Sequence, residues 1–178
     1  SASLVGAEMC IRDSLWNGAP SVYADYDKTK QTVLSLKSYI DAQPKSIQLC
    51  HIDAVPDNFL FVTGKDGSEE IKLTDWEYAG MQDPHLDVAM FIIYAMYDRD
   101  SAEKLIDLYF SDGCDKATRL KIYCYIAVSG LVWSNWCEFK RHCGVEFGAY
   151  AQRQYDYARE YTKIFFKEYR EAFGRDYV

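Results

Sequence analysis

The 178-residue sequence lacks several features that mark particular classes of protein. It has no apolar run of about 18 residues and no charged start followed by an apolar stretch, so we expect neither a membrane span nor a secretion signal. Its six cysteines form no Cys-x-x-Cys pair, and no histidine stands at the spacing of a zinc ligand. These absences predict free thiols in a reducing, cytoplasmic environment.

An excess of basic residues is also missing. The chain has 20 Lys and Arg against 27 Asp and Glu, which gives a net charge of −7 and a pI near 5.0. A nucleic-acid partner requires a basic face that neutralises phosphates, so we expect no such partner. The acidic balance is compatible with a small cationic substrate, although many acidic proteins bind none.

Aromatic residues, in contrast, are abundant: they make up 16% of a chain that is long enough to bury a real core. The first predicted element is a helix that begins with Asp27 as its cap and runs to about Ala42, before Pro44. Its apolar face would consist of Val33, Leu36, Tyr39 and Ile40.

A hairpin and a series of helices are predicted to follow. The extended runs NFLFVT and EIKLTDW flank an Asp-Gly turn, which predicts a β-hairpin whose second strand ends near Asp75. DPHLDVAMFIIYAMYD predicts a buried helix, and SAEKLIDLYF predicts a second one with Ser101 as its cap. Two long amphipathic helices would span residues 115 to about 141 and 146 to about 173. The expected fold class is α+β, mainly α, with a small hairpin.

The segment LCHIDAVPDNFLF contains His51, Asp53 and Asn58 in the spacing H-x-D-x-x-x-x-N. Phosphoryl transfer needs a carboxylate that orients and deprotonates the acceptor hydroxyl, and oxygen ligands that hold Mg²⁺ against the phosphates of ATP. We therefore predict Asp53 as the base and Asn58 and Asp75 as magnesium ligands, with a structural role for His51. The alternative is that Asp53 and Asn58 only build turns and that Asp75 only ends a strand.

HIDAVPDN, followed by LTDWEYAGMQDPHLDVA, resembles the choline kinase and aminoglycoside phosphotransferase superfamily, most closely the bacterial choline kinases of the LicA type. The resemblance covers about residues 49–161. It implies a protein-kinase-like fold, of which this chain would be the C-terminal, mainly helical lobe. It also implies that Asp53 is the catalytic base, that Asn58 and Asp75 bind magnesium, and that Asp87 braces the catalytic loop.

The segment SGLVWSNWCEFKRHCGVEFGAY places Trp133 and Trp136 on one side of a helix, with Tyr150 beyond the next turn. A quaternary ammonium group donates no hydrogen bonds and is best held by aromatic faces, at ~0.5–2 kcal/mol per contact. Spacing alone favours core positions for these rings. The resemblance to choline kinases implies instead that they form an aromatic box around choline.

Three further residues are candidates for the same pocket. Glu77 could add negative charge to it or could bond the backbone. Tyr94 and Tyr97 lie on the helix after Asp87, where the family also contributes to the pocket. Tyr94 stands about where a eukaryotic choline kinase carries Glu, which leaves the contribution of a carboxylate open.

Residues 1–48 contain no glycine-rich strand–turn–strand and no Lys–Glu pair of the kind that grips ATP in kinases. VGAEMCIRDS resembles translated sequencing adapter, so we expect residues 1–14 to be a non-native or disordered arm. Residues 15–178 would then be the C-terminal lobe encoded by a truncated gene. The alternative is a lobe that occurs naturally alone and only binds a ligand.

The sequence therefore predicts a kinase that uses ATP and Mg²⁺ to phosphorylate the hydroxyl of choline, with little or no turnover by this chain alone. Two alternatives stay open. One is a kinase of the same superfamily that acts on ethanolamine or on an aminoglycoside. A site for an aminoglycoside would need several acidic groups to bind a polyamine. The other is a non-catalytic, kinase-like binding module, which would have no physical need to keep Asp53, Asn58 and Asp75 together.

Overall fold

A computed structural model of the chain describes residues 20–177, and the predicted arm of residues 1–14 lies outside them. The helices are α1 (Tyr26–Ser35), α2 (Lys37–Ala42), α3 (His85–Tyr94), α4 (Arg99–Tyr109), α5 (Lys116–His142) and α6 (Ala149–Phe173). The strands are β1 (Gln48–Cys50), β2 (Phe59–Thr63), β3 (Glu69–Leu73) and β4 (Gly80–Gln82). Single 3₁₀ turns occupy Pro56–Asn58 and Trp76–Tyr78.

The four strands form two small antiparallel pairs. β2 pairs with β3, with Phe59 opposite Leu73, which confirms the predicted hairpin. β1 pairs with β4, with Cys50 opposite Gly80, and this second pair was not predicted. The two pairs flank the segment that contains the candidate catalytic residues. The apolar side chains of the β2–β3 hairpin are mostly exposed, and Phe61 reaches 80% exposure.

The core lies between the helices, with α5 at its centre. Every residue of α5 from Leu120 to Val132 is buried, and α6 packs its apolar stripe of Tyr157, Tyr161 and Phe165 into the same core. No helix within residues 20–177 is both long enough and apolar enough to cross a bilayer.

A glycine sets the distance between the two long helices. A Cβ atom on Gly130 of α5 would lie 2.7 Å from the carbonyl oxygen of Gln154 and 2.8 Å from Cβ of Tyr157, both on α6. These distances are too short for carbon, so only glycine allows this approach of the two backbones.

A buried ion pair connects the start of α3 to α5. Lys121 Nζ lies 2.7 Å from Asp83 Oδ2 and also donates a 2.8 Å hydrogen bond to the carbonyl oxygen of Pro44. The Tyr125 hydroxyl donates to the same Asp83 oxygen at 3.1 Å. Buried charges are tolerated when they are paired and hydrogen-bonded in this way. The pair fixes α3 and the chain before β1 against α5.

The predicted N-terminal helix is divided in the structure. A break at Leu36 separates α1 from α2, and Asp25, rather than Asp27, occupies the N-cap position. The four apolar residues predicted for its inner face are all buried. The helical period was therefore correct, whereas the cap was placed two residues too late.

Two other helix starts also differ from the prediction. α4 begins before Ser101, because the Asp98 carboxylate accepts a 2.9 Å hydrogen bond from the Ser101 amide and caps the helix. α6 begins at Ala149 rather than at Glu146, because Gly148 has a φ of 53° and a ψ of −128°, outside the helical region.

The close approach of α5 and α6 predicts that Gly130→Ala destabilises the fold by about 1–3 kcal/mol, the usual cost of overpacking. The matched control is Gly80→Ala, because a Cβ atom at Gly80 would meet nothing within 4 Å. Urea unfolding followed by circular dichroism measures both variants. Equal stability of the two variants would contradict the inferred steric constraint.

Candidate active site

Asp87 braces the loop that carries the candidate base. Its two carboxylate oxygens accept 2.8 Å hydrogen bonds from the backbone amides of His51 and Ile52. Ile52 has a φ of 69°, a left-handed conformation that costs a β-branched residue about 1–3 kcal/mol. Hydrogen bonds to a charged acceptor are strong enough to hold such a backbone. The brace therefore fixes the direction in which the next residue, Asp53, leaves the loop.

His51 connects this loop to the end of the hairpin. Its ring is 2% exposed, and Nε2 lies 2.7 Å from the carbonyl oxygen of Thr74, so the hydrogen-bond pattern assigns the proton to Nε2. The ring also packs edge-on against Trp76, with centroids 4.8 Å apart. Thr74 and Trp76 are the two neighbours of Asp75. The predicted structural role of His51 stays a prediction, and this geometry supports it.

The two predicted magnesium ligands are linked through the backbone. Asn58 Nδ2 donates a 2.9 Å hydrogen bond to the carbonyl oxygen of Asp53, which leaves the amide oxygen of Asn58 available. The carbonyl oxygen of Asn58 accepts a 3.0 Å hydrogen bond from the Thr74 amide. Asp75 then adopts a left-handed conformation, with φ 62° and ψ 61°, and is exposed.

Oxygen donors of this kind suit Mg²⁺. Within residues 20–177, no group of three or more His, Cys, Asp or Glu is placed to hold a metal ion. A site at this position would instead use the Asn58 amide and the Asp75 carboxylate. That set fits Mg²⁺, which usually takes one or two carboxylates and fills its remaining positions with water or phosphate oxygens.

A cavity of about 690 Å³ opens beside the loop that carries Asp53. Its lining residues are Ile52, Asp53, Val55, Tyr78, Tyr94, Val132, Trp133, Trp136, Phe147 and Tyr150. The cavity thus brings the predicted base together with four of the six predicted pocket residues, although they come from segments far apart in the sequence. Its volume is ample for a small organic substrate.

The aromatic rings of the cavity wall contact one another in sequence. Tyr94 meets Trp133 edge-on at 5.1 Å, and Trp133 lies nearly parallel to Trp136, with centroids 6.5 Å apart. Phe147 then packs against Trp136 at 5.1 Å and against Tyr150 at 6.2 Å. Rings at these distances support each other's orientation. The wall is therefore a connected aromatic surface.

One ring of the wall already attracts a cation. Lys140 Nζ lies 5.3 Å from the centroid of the Trp136 ring, one helical turn away on α5. This distance is within the range of a cation–π interaction. The Trp136 ring is therefore positioned to interact with a positive charge.

Asp53 is the one acidic residue among those that line the cavity. Burial, together with the negative charge of Asp53, raises the pKa of the hydroxyls of Tyr94 and Tyr150. Both phenols therefore keep their protons at neutral pH and can donate hydrogen bonds. The pKa of Tyr78 is also raised, chiefly by the neighbouring charge of Glu77.

Two predicted pocket residues do not line the cavity. Glu77 is exposed in the 3₁₀ turn Trp76–Tyr78. Tyr97 lies beyond the end of α3, where its carbonyl oxygen accepts hydrogen bonds from the Tyr157 hydroxyl and from Arg153 Nη2. Asp53 therefore supplies the negative charge among the lining residues, and Glu77 lies outside them.

Two aromatic lining residues were not predicted, namely Tyr78 and Phe147. Tyr78 is one residue beyond the predicted Glu77, and Phe147 is in the loop between α5 and α6, three residues before Tyr150. Neither lies in a periodic segment, so no hydrophobic pattern marks it. The available signal was their proximity in sequence to residues that had already been selected.

Comparison with known proteins gives one family. Residues 11–112 match the family model described as choline/ethanolamine kinase. Protein LicA of Haemophilus influenzae (strain KW20 / Rd) is 30% identical over 121 residues, which cover 61% of this chain and 41% of LicA.

Solved structures of similar fold agree with that match. A choline/ethanolamine kinase family protein from Mesorhizobium loti has a TM-score of 0.76 and 24% identity, over 90% of this chain and 55% of its own. Choline kinase LicA from Streptococcus pneumoniae has a TM-score of 0.71 and 26% identity, over 91% of this chain and 55% of its own. A structure of LicA in complex with AMP has the same TM-score and identity, over 92% of this chain and 54% of its own. The chain spans about half the length of the relatives it matches.

The two hydrogen bonds from the amides of His51 and Ile52 to Asp87 predict that Asp87→Ala destabilises the loop. Removing the carboxylate leaves two amides without their acceptor, at about 1–3 kcal/mol for each one that stays buried. We expect lower stability and faster hydrogen exchange at His51 and Ile52, measured by thermal unfolding and NMR. Asp112→Ala, at an exposed turn, is the matched control and should change neither. Unchanged protection of both amides would contradict the role of the brace.

Proposed function

The chain belongs to the choline/ethanolamine kinase family, and from this premise we propose a function. We propose that the chain carries the acceptor site and the catalytic base of an ATP-dependent choline kinase. The observation that carries the proposal is the cavity in which Asp53 faces a connected aromatic wall. Such a cavity can hold a cationic group against the rings while a hydroxyl reaches the carboxylate.

The composition of the cavity favours choline among the amines considered. Six of its ten lining residues are aromatic, and Asp53 is the one acid. A quaternary ammonium needs no hydrogen-bond acceptor and gains ~0.5–2 kcal/mol from each well-placed ring. A primary ammonium must replace its lost water with acceptors, of which this wall has few. An aminoglycoside would need several carboxylates, so we rank it last.

The proposed reaction is transfer of the γ-phosphoryl group of ATP. Asp53 takes the proton of the choline hydroxyl, and the choline oxygen forms a bond to the γ-phosphorus. The bond between that phosphorus and the bridging oxygen breaks, so ADP leaves with the electron pair. Asn58 and Asp75 would hold Mg²⁺, which neutralises charge on the phosphates when it is bound. The AMP complex of LicA supports an adenine nucleotide as the donor.

We further propose that residues 15–178 act as the C-terminal lobe of such a kinase. Within residues 20–177, the sheets are the two-stranded pairs β1–β4 and β2–β3. Kinases of this type also cover the phosphates with a glycine-containing loop and use a paired lysine. The described residues carry the acceptor side of the site, so this chain alone is expected to bind choline without turning it over.

Binding of choline to the chain tests the acceptor site. We expect a saturable response in isothermal titration calorimetry, and an at least tenfold weaker affinity for Trp133→Ala, since one desolvated cation–π contact is worth about 2 kcal/mol. Tyr109→Ala removes a half-exposed ring on α4, away from the cavity, and should leave the affinity unchanged.

Circular dichroism confirms folding of each variant, and ethanolamine and kanamycin are titrated beside choline. A folded chain that binds none of them would refute the acceptor site. Tighter binding of ethanolamine than of choline would favour the ethanolamine kinase alternative.

Turnover tests the second part of the proposal. With ATP, Mg²⁺ and choline, ADP release by the purified chain should not exceed the rate without choline. A coupled assay with pyruvate kinase and lactate dehydrogenase measures this rate. Choline-dependent release that disappears in Asp53→Asn would support Asp53 as the base and would show that the chain is active alone.

A further inference from the structure

Tyr94 has a buried hydroxyl that faces the candidate base. It is the last residue of α3, and it lines the cavity beside Asp53. Among the described residues, no hydrogen bond of ordinary geometry satisfies its hydroxyl, which is inaccessible to solvent. Among charged groups, the carboxylate of Asp53 has the largest effect on this hydroxyl, and a contact with that carboxylate also raises its pKa.

The position of the Tyr94 ring is fixed by its surroundings. It meets the Trp133 ring edge-on at 5.1 Å with an interplanar angle of 81°. The two preceding residues, Ile92 and Ile93, are completely buried. The backbone below is also held, because the Ile93 carbonyl oxygen accepts a 2.9 Å hydrogen bond from Gln154 Nε2. A ring held in this way directs its hydroxyl to one place.

The chemistry of the two groups makes them complementary. Burial and the charge of Asp53 raise the pKa of Tyr94, so the phenol stays protonated. A protonated phenol beside a carboxylate is stabilised when it donates a hydrogen bond to it. A buried donor without an acceptor is unfavourable, so a hydrogen bond to an acceptor within its reach is favoured. A carboxylate has two oxygens and can accept from two donors at once.

We propose that Tyr94 is a positioning residue: its hydroxyl donates to one oxygen of Asp53 and so directs the other oxygen at the hydroxyl of the acceptor. The inference rests on the proposed function, because it assumes a hydroxylated cation in the cavity. Tyr94 then joins the two halves of the site, since its ring supports the aromatic wall and its hydroxyl orients the base.

This role couples the Tyr94 hydroxyl to the hydroxyl of the ligand. Choline should bind more tightly than ethyltrimethylammonium, which has the same cationic head and no hydroxyl. A hydrogen bond to a charged acceptor supports a preference of about tenfold. Tyr94→Phe keeps the ring and the cation contacts, so both ligands should still bind while the preference falls to about twofold. If Tyr94 had only a structural role, Tyr94→Phe would lower the affinities for both ligands by the same factor.

The experiment is calorimetric titration of both ligands into the full chain and three variants. Tyr94→Phe is the test, and Asp53→Asn should lose the same preference because it removes the charged acceptor. Tyr109→Phe is the matched control, since it removes a phenol hydroxyl on α4 that does not line the cavity; it should keep the preference.

A preference that survives in Tyr94→Phe or in Asp53→Asn would overturn the inference and leave the choline site intact. The absence of any preference in the unmodified chain would also overturn it. If a folded chain binds neither ligand, the proposed function fails, and the role of Tyr94 fails with it.

Discussion

The site depends on two hydrogen bonds, from the amides of His51 and Ile52 to the carboxylate of Asp87. They hold Ile52 in a left-handed conformation that a β-branched residue would not adopt alone. Asp87 is on α3, whose start is fixed to α5 by the buried ion pair of Asp83 and Lys121. The loop that carries Asp53 therefore takes its position from the helical core. The loop is irregular, but its support is rigid.

The cavity joins three parts of the chain that are distant in sequence. The loop supplies Asp53, α3 supplies Tyr94, and the α5–α6 pair supplies the tryptophans and Tyr150. Gly130 lets α5 and α6 approach closely, and their connecting loop then brings Phe147 onto Trp136. The acid and the rings are therefore held by elements of one helical core, which suits the substrate proposed for the cavity.

Much of this arrangement could be predicted from the sequence, because local patterns mark it. The H-x-D-x-x-x-x-N spacing, the Asp-Gly turn and the i, i+3 tryptophans each lie within a few residues. The β1–β4 pair was missed because three-residue strands about 30 residues apart have no local signal. Ser101 was predicted as a cap because serine suits that position, but aspartate suits it equally, and the structure uses Asp98. No sequence signal showed that Glu77 lies outside the cavity lining, because the direction of a side chain in a 3₁₀ turn depends on tertiary contacts.

The β2–β3 hairpin has a consequence for handling the protein. Within the described residues each of its strands pairs on one side only, and Phe61 and Ile71 are 80% and 62% exposed. An unpaired strand edge with apolar side chains is a template for adding another strand, and charges such as Lys72 beside Glu70 oppose that addition. We therefore expect self-association of the chain to increase with protein concentration and with ionic strength, since salt screens those charges.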